Sequence, residues 1–144
     1  MRLEKRILIV DDDDAIRALL QTVLRRRGFR VDAARNGVEA LERMATCFYA
    51  LVVLDLMMPR MNGYEVLEHF ATLAPTRRPL VLLLTAGLEP RKYDTTLVVG
   101  TMQKPFDIEL LVDTISGCLT ATMPQEQLDR CSDVADSTPA EETN

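Results

Sequence analysis

The sequence of 144 residues has no long apolar stretch, few cysteines and no excess of basic residues. No apolar run approaches the ~18–20 residues that a bilayer crossing needs, and the charged start at residues 1–6 precedes only a short apolar run, which is not typical of a secretory leader. We therefore expect a cytoplasmic protein without membrane contact. The three cysteines are odd in number and lack CxxC spacing, so the sequence predicts free thiols rather than a disulfide framework or a zinc site.

The net charge of -5 is unevenly distributed along the chain. Residues 1–119 contain 16 basic and 16 acidic residues, whereas residues 120–144 contain one basic and six acidic residues. A body of balanced charge lacks the net basic face that nonspecific nucleic-acid binding uses, so we expect no direct contact with nucleic acid. The last segment has no aromatic residue and no periodic apolar pattern. These features predict one domain over residues 1–119 and a flexible, acidic, polar tail over residues 120–144.

Short apolar runs alternate with segments of helical periodicity in the predicted domain. Residues 7–10, 50–54 and 80–84 are continuous runs rich in branched side chains, which is typical of parallel strands covered on both faces. Shorter strands are predicted at residues 30–34 and 100–103. Apolar residues at helical spacing predict helices at four places and mark the inward face of the first one with Ile16, Leu19, Leu20, Val23 and Leu24.

The other helices are predicted after Asn36, after Asn62 and over residues 108–117. Asparagine is a favoured N-cap residue, so Asn36 and Asn62 suit the starts of two of these helices. A further helix over residues 89–99 would be short or irregular, because its threonines and valines disfavour helix. Five parallel strands alternating with five helices predict an α/β, doubly wound, flavodoxin-like fold with the strand order 2-1-3-4-5 and helices on both faces.

Polar residues follow four of the predicted strands at their carboxyl ends, where such folds place their sites. They are Asp11 to Asp14 after the first strand, Asp55 after the third, Thr85 after the fourth and Lys104 after the fifth. Clustered carboxylates repel one another unless a cation is present, and a set of oxygen ligands without cysteine or histidine suits Mg²⁺. Asp13 and Asp14 directly precede the first helix and are interpreted as its N-cap. A carboxylate beside a metal ion, a lysine and a hydroxyl predicts phosphoryl transfer onto an aspartate.

Four motifs in order resemble the receiver domain of two-component response regulators, of which the chemotaxis protein CheY is the compact type. They are Ile7-Leu-Ile-Val-Asp-Asp-Asp13, Val53-Leu-Asp-Leu-Met-Met-Pro-Arg-Met-Asn-Gly63, Leu84-Thr-Ala86 and Lys104-Pro-Phe106, and the resemblance covers about residues 5–118. It implies that Asp55 is the phosphoacceptor and that Thr85 and Lys104 contact the phosphoryl oxygens. It also implies Mg²⁺ ligands at Asp11, Asp12, Asp55 and the Met57 backbone carbonyl, and a cis peptide bond at Lys104–Pro105.

Two features depart from the family pattern. The aromatic switch residue usually found three positions before the lysine is replaced by Thr101, and Lys104 follows Thr85 by only 19 residues. We therefore expect phosphorylation to be transmitted differently, through reordering of residues 87–100. The resemblance also implies slow self-dephosphorylation, because the two positions that tune it in the family are Met57 and Gly87, whose side chains cannot position a water molecule.

The leading hypothesis is a stand-alone receiver that accepts a phosphoryl group from a sensor histidine kinase or a phosphotransfer protein and changes its affinity for a downstream effector protein. It would assist its own phosphorylation and dephosphorylation without being an enzyme, and would be a monomer or a phosphorylation-dependent dimer. The alternative is a phosphorylation-independent receiver that acts as a protein-interaction module. An aspartyl phosphatase is disfavoured because Met57 stands where a second aspartate would be, and a dinucleotide binder because no GxGxxG follows the first strand.

Overall fold

The computed structural model describes residues 6–87, 93 and 95–122, which form a five-stranded parallel sheet with helices on both faces. The strands are β1 (Arg6–Val10), β2 (Arg30–Ala34), β3 (Leu51–Asp55), β4 (Leu80–Thr85) and β5 (Gly100–Gln103). The helices are α1 (Asp14–Arg26), α2 (Gly37–Met44), α3 (Gly63–Ala71) and α4 (Ile108–Thr122), with 3₁₀ turns at Pro75–Arg77 and Thr95–Leu97. In the part of the chain that the structure describes, no helix has the length and apolar character that a membrane crossing requires.

The strand order is β2-β1-β3-β4-β5, which confirms the predicted doubly wound fold. Every residue of β1 and β3 is buried, because helices cover both faces of these central strands. Successive side chains of a strand point to opposite faces, so each apolar run contributes to two cores. Leu8, Val52 and Leu54 pack in the core shared with α2 and α3, whereas Ile7, Ile9 and Val53 pack in the core shared with α1 and α4.

Polar caps fix the helix starts that lie near the carboxyl edge of the sheet. The Asp13 side chain accepts hydrogen bonds from the backbone N–H groups of Ala15 and Ile16, which confirms its predicted role as an N-cap. Asn36 caps α2, and Asn62 forms a capping box with Glu65 at the start of α3. Asp14 is instead the first residue of α1 and pairs with Arg17, so the cap interpretation was wrong for Asp14.

Some local predictions agree with the structure and others differ from it. The predicted helix over residues 89–99 is represented, within the described residues, by the three-residue 3₁₀ turn at Thr95–Leu97, in keeping with the low helix propensity of its β-branched side chains. Helix α4 continues to Thr122 rather than ending near Gly117, since a glycine is tolerated inside a helix. Leu19, predicted to face inward, is half exposed. Cys118 forms no disulfide, as predicted, whereas Cys47 is disulfide-bonded, so the prediction of free thiols was wrong for Cys47.

The predicted tail lies almost entirely outside the described residues, which end at 122. The proposed boundary between a domain at residues 1–119 and a tail at residues 120–144 therefore stays a prediction.

Candidate functional site

Three carboxylates converge at the carboxyl edge of the sheet. Asp11 and Asp12 follow β1, and Asp55 ends β3; the two strands are hydrogen-bonded neighbours with Val10 opposite Leu54. One oxygen from each carboxylate lies within 4.8 Å of the others. Asp11 is fully buried, Asp55 is nearly so, and Asp12 is exposed. The parallel register therefore forms an acidic pocket in which Asp11 and Asp55 are buried and Asp12 faces solvent.

Lys104 reaches into this pocket from the far edge of the sheet. Its Nζ lies 3.0 Å from Asp11 Oδ2 and 3.3 Å from Asp55 Oδ2. Among the described residues, Asp11 Oδ2 has no hydrogen-bond partner apart from this ion pair. The Lys104 backbone N–H donates to the Thr85 carbonyl at 2.8 Å, and the Lys104–Pro105 peptide bond is cis. The lysine thus bridges two carboxylates that belong to different strands.

The electrostatics of the pocket leave an excess of negative charge. Burial, followed by the charge of Asp11, raises the pKa of Asp55 to about 6, while the Met57 N–H and Lys104 oppose this rise. Burial lowers the pKa of Lys104, but its hydrogen bond and charge interaction with Asp11 and its pairing with Asp55 outweigh burial and raise it. One ammonium group faces two buried carboxylates and a third exposed one, so the pocket favours an additional cation.

Thr85 lies at the end of β4, between the strand that carries Asp55 and the strand that leads to Lys104. Its side chain is buried, and its Oγ1 accepts a hydrogen bond of 2.8 Å from the Gly87 N–H. Because the hydroxyl accepts there, its own hydrogen remains available for another oxygen. Gly87 has φ of 107°, a conformation that L side chains rarely adopt.

The backbone around Asp55 is held by close packing. The Met57 N–H donates to Asp55 Oδ1 at 3.1 Å, and the Leu56 N–H donates to the Leu84 carbonyl at 3.1 Å. Gly63 sits so close that a Cβ added to it would lie 2.6 Å from the Asp55 carbonyl oxygen. One carboxylate oxygen of Asp55 therefore faces a backbone donor and the other faces Lys104.

The structure separates one predicted position from this group and adds residues that the sequence analysis missed. Thr101 is exposed on β5, opposite Leu83 rather than Thr85. Arg17 Nη1 donates to the Asp11 carbonyl at 2.8 Å and so holds the loop after β1, although nothing in its spacing from Asp11 singles it out. The Tyr93 ring lies 6.4 Å from the Tyr64 ring, measured between centroids, at an angle of 48°.

Three carboxylates, a lysine and a threonine thus lie together at the carboxyl edge of a doubly wound α/β sheet. This arrangement is typical of proteins with an acidic pocket that suits a divalent cation at that edge. Residues 7–116 match the family model described as the response regulator receiver domain. The chain therefore belongs to the response regulator receiver family.

Relatives and solved structures agree with this assignment. Response regulator MprA of Mycobacterium sp. strain KMS is 38% identical, covering 84% of this chain and 53% of the relative. A CpxR homologue of Haemophilus influenzae, a transcriptional regulatory protein, is 37% identical, covering 79% of this chain and 50% of the relative. The chain thus spans about half the length of the curated relatives that it matches.

Two solved structures show the same architecture. A CheY-like receiver domain protein from Methanospirillum hungatei superposes with a TM-score of 0.72 and 27% identity, covering 82% of this chain and 98% of that one. The response regulator TrrA of Thermotoga maritima, solved in complex with Mg²⁺ and BeF, superposes with a TM-score of 0.69 and 33% identity, covering 78% and 97%.

Proposed function

We propose that this chain is a phosphoacceptor receiver that takes a phosphoryl group onto Asp55 from the phosphohistidine of a sensor histidine kinase or a phosphotransfer protein. The observation that supports this most directly is the position of Asp55. It is a buried carboxylate with a raised pKa, 3.3 Å from Lys104 Nζ and beside Asp11 and Asp12. Phosphorylation of Asp55 then alters the surface of the domain and changes its affinity for a downstream effector protein.

The donor set fits Mg²⁺. Asp11, Asp12, Asp55 and the Met57 backbone carbonyl would hold the ion, and all of these donors are hard oxygens. The excess negative charge of the pocket favours a cation. Because Asp12 is exposed, water molecules can reach the same site and complete the coordination of the ion. When bound, the ion supplies positive charge against the phosphoryl oxygens and the neighbouring carboxylates.

The side chains of this chain divide the remaining work. A carboxylate oxygen of Asp55 forms a bond to phosphorus while the phosphorus–nitrogen bond of the phosphohistidine breaks and its electron pair stays on the imidazole. The Lys104 ammonium and the Thr85 hydroxyl donate hydrogen bonds to the phosphoryl oxygens. The chain ends modified and turns over no separate substrate, so it acts as a signalling acceptor that assists its own chemistry rather than as an enzyme.

The biological setting is part of the proposal. We infer a cytoplasmic receiver domain whose residues 1–119 make no direct contact with nucleic acid and which is a monomer or a phosphorylation-dependent dimer. Residues 1–119 contain equal numbers of basic and acidic residues, which supports the absence of nucleic-acid contact. Self-dephosphorylation is slow in this proposal, because Met57 carries an apolar side chain and Gly87 carries none.

A second candidate is a phosphorylation-independent receiver that acts as a protein-interaction module. Two observations favour it: the expected aromatic switch position holds an exposed Thr101, and the described part of the β4–β5 connection contains only a three-residue 3₁₀ turn. The intact set of Asp11, Asp12, Asp55 and Lys104 favours the phosphoacceptor.

Intact-mass spectrometry after incubation with a small-molecule phosphodonor tests the proposal. We expect one added phosphoryl group that requires both Mg²⁺ and Asp55, and that is absent in Asp55→Asn. Asp107→Asn is the matched control, because Asp107 is an exposed aspartate that caps α4 and asparagine caps equally well. Phosphorylation that survives Asp55→Asn would contradict the assignment, as would no phosphorylation by either the small donor or histidine kinases while the fold and Mg²⁺ binding are intact.

A further inference from the structure

Gln103 lies at the junction of the residues that would handle the phosphoryl group. It ends β5, pairs in register with Thr85 on β4 and directly precedes Lys104. Met102 packs into the core shared with α1 and α4, so the alternation of the strand places Gln103 on the opposite face. No role for Gln103 follows from the site described above.

The side chain of Gln103 lies directly over Gly87. A Cβ added to Gly87 would be 2.5 Å from Gln103 Nε2, 3.0 Å from Cδ and 3.5 Å from Cγ. The amide group therefore fills the space that a side chain at position 87 would occupy. This contact joins the end of β5 to the turn that follows β4.

The Gly87 turn in turn sets the state of the Thr85 hydroxyl. The Gly87 N–H donates to Thr85 Oγ1 at 2.8 Å, which leaves the hydroxyl hydrogen free to point elsewhere. Glycine has access to a wide range of backbone conformations, so this hydrogen bond by itself restrains the turn weakly. A neighbouring group packed against Gly87 restricts that freedom, and in this structure the group is the Gln103 amide.

We propose that Gln103 is a positioning residue for phosphoryl transfer. Its side chain packs on Gly87, keeps the Gly87 N–H on Thr85 Oγ1 and so directs the hydroxyl hydrogen of Thr85 toward the phosphoryl oxygens. The inference rests on the proposed function and deepens it by adding a residue that touches neither the phosphoryl group nor the metal ligands. Loss of one transition-state donor typically costs 10²–10³-fold in rate, so misdirecting a donor that is still present costs less, about tenfold.

The rate of phosphorylation of the full chain, measured against the concentration of a small-molecule phosphodonor with Mg²⁺, tests this. We expect Gln103→Ala to lower the maximal rate about tenfold while the half-saturating donor concentration and Mg²⁺ affinity stay unchanged. Gln103→Met keeps the length of the side chain and should restore most of the rate. Gln21→Ala, which removes a glutamine from the middle of α1, is the matched control and should have no effect.

A double-mutant cycle separates positioning from a general structural effect. Because Gln103 acts through Thr85, adding Gln103→Ala to Thr85→Ala should cause no further loss of rate. The inference would be overturned if the rate losses of the two single variants multiplied in the double variant. It would also be overturned if Gln103→Ala were phosphorylated at the wild-type rate. The Gly87 amide resonance in an NMR spectrum taken without phosphodonor should shift in Gln103→Ala and not in Gln21→Ala. An unshifted resonance overturns the inference even if Asp55 is never phosphorylated, whereas absent phosphorylation with a shifted resonance contradicts only the proposed function.

Discussion

Replacing Asp55 with asparagine in the metal-free protein tests the electrostatics of the pocket through stability. Burial and the charge of Asp11 raise the pKa of Asp55 from 3.8 to about 6. A carboxyl group with a raised folded-state pKa costs nothing while it is protonated in both states, below about pH 4. Its ionised form disfavours folding increasingly as the pH rises from about 4 to about 6, and the cost is constant above that range.

The size of this cost follows from the pKa difference. Each tenfold change in proton affinity is worth about 1.4 kcal/mol, so the rise from 3.8 to about 6 costs the folded wild type about 3 kcal/mol at neutral pH. Asparagine cannot ionise, so the variant does not bear this cost. We therefore expect the stability of Asp55→Asn relative to wild type to fall by about 2 kcal/mol between pH 7.5 and pH 4.5.

Urea unfolding in the presence of a chelator at these two pH values measures the effect. Mg²⁺ should then stabilise the wild type, by about 2.7 kcal/mol at a hundredfold excess over its Kd, and stabilise Asp55→Asn much less. Asp107→Asn, at an exposed position outside the pocket, should match the wild type both in its pH dependence and in its stabilisation by Mg²⁺. A difference between wild type and Asp55→Asn that is the same at both pH values would refute the raised pKa and the repulsion on which it depends.

Four further substitutions probe the site and its support. Lys104→Met removes the ammonium that lies 3.3 Å from Asp55 Oδ2, so an NMR titration should place the pKa of Asp55 above that of the wild type, and an unchanged pKa would contradict the ion pair. Arg60 has φ of 64°, so Arg60→Gly should raise the urea midpoint, with a gain of up to about 1 kcal/mol after the entropic cost of glycine is subtracted; a lower midpoint would show that this conformation carries no strain. Gly63→Ala should destabilise the protein and slow phosphorylation, because its Cβ would lie 2.6 Å from the Asp55 carbonyl oxygen, whereas Gly117→Ala has open space and should stabilise α4 by about 1 kcal/mol; equal effects of the two would contradict the packing argument.

Much of the architecture and of the site was predictable from the sequence, because the signals are local. Residues 7–10, 50–54 and 80–84 are apolar on both faces, as strands between two helical layers must be, and the structure buries all of them except Leu80, which is partly buried. Asp11, Asp55 and Lys104 could be placed together before any coordinates, since each follows a strand and parallel strands bring their carboxyl ends to one edge.

Distances between segments far apart in the chain were decided only by the tertiary structure. Lys104 and Asp55 are 49 positions apart, and only the folded sheet shows that the lysine lies even closer to Asp11. The packing of Gln103 on Gly87 likewise has no local signal, because it depends on the register between β4 and β5 and on the direction of one flexible side chain. Sequence patterns record which face of an element is apolar and where its ends lie. They do not record which polar side chains meet across strands, and those contacts determine the charge balance of the acidic pocket.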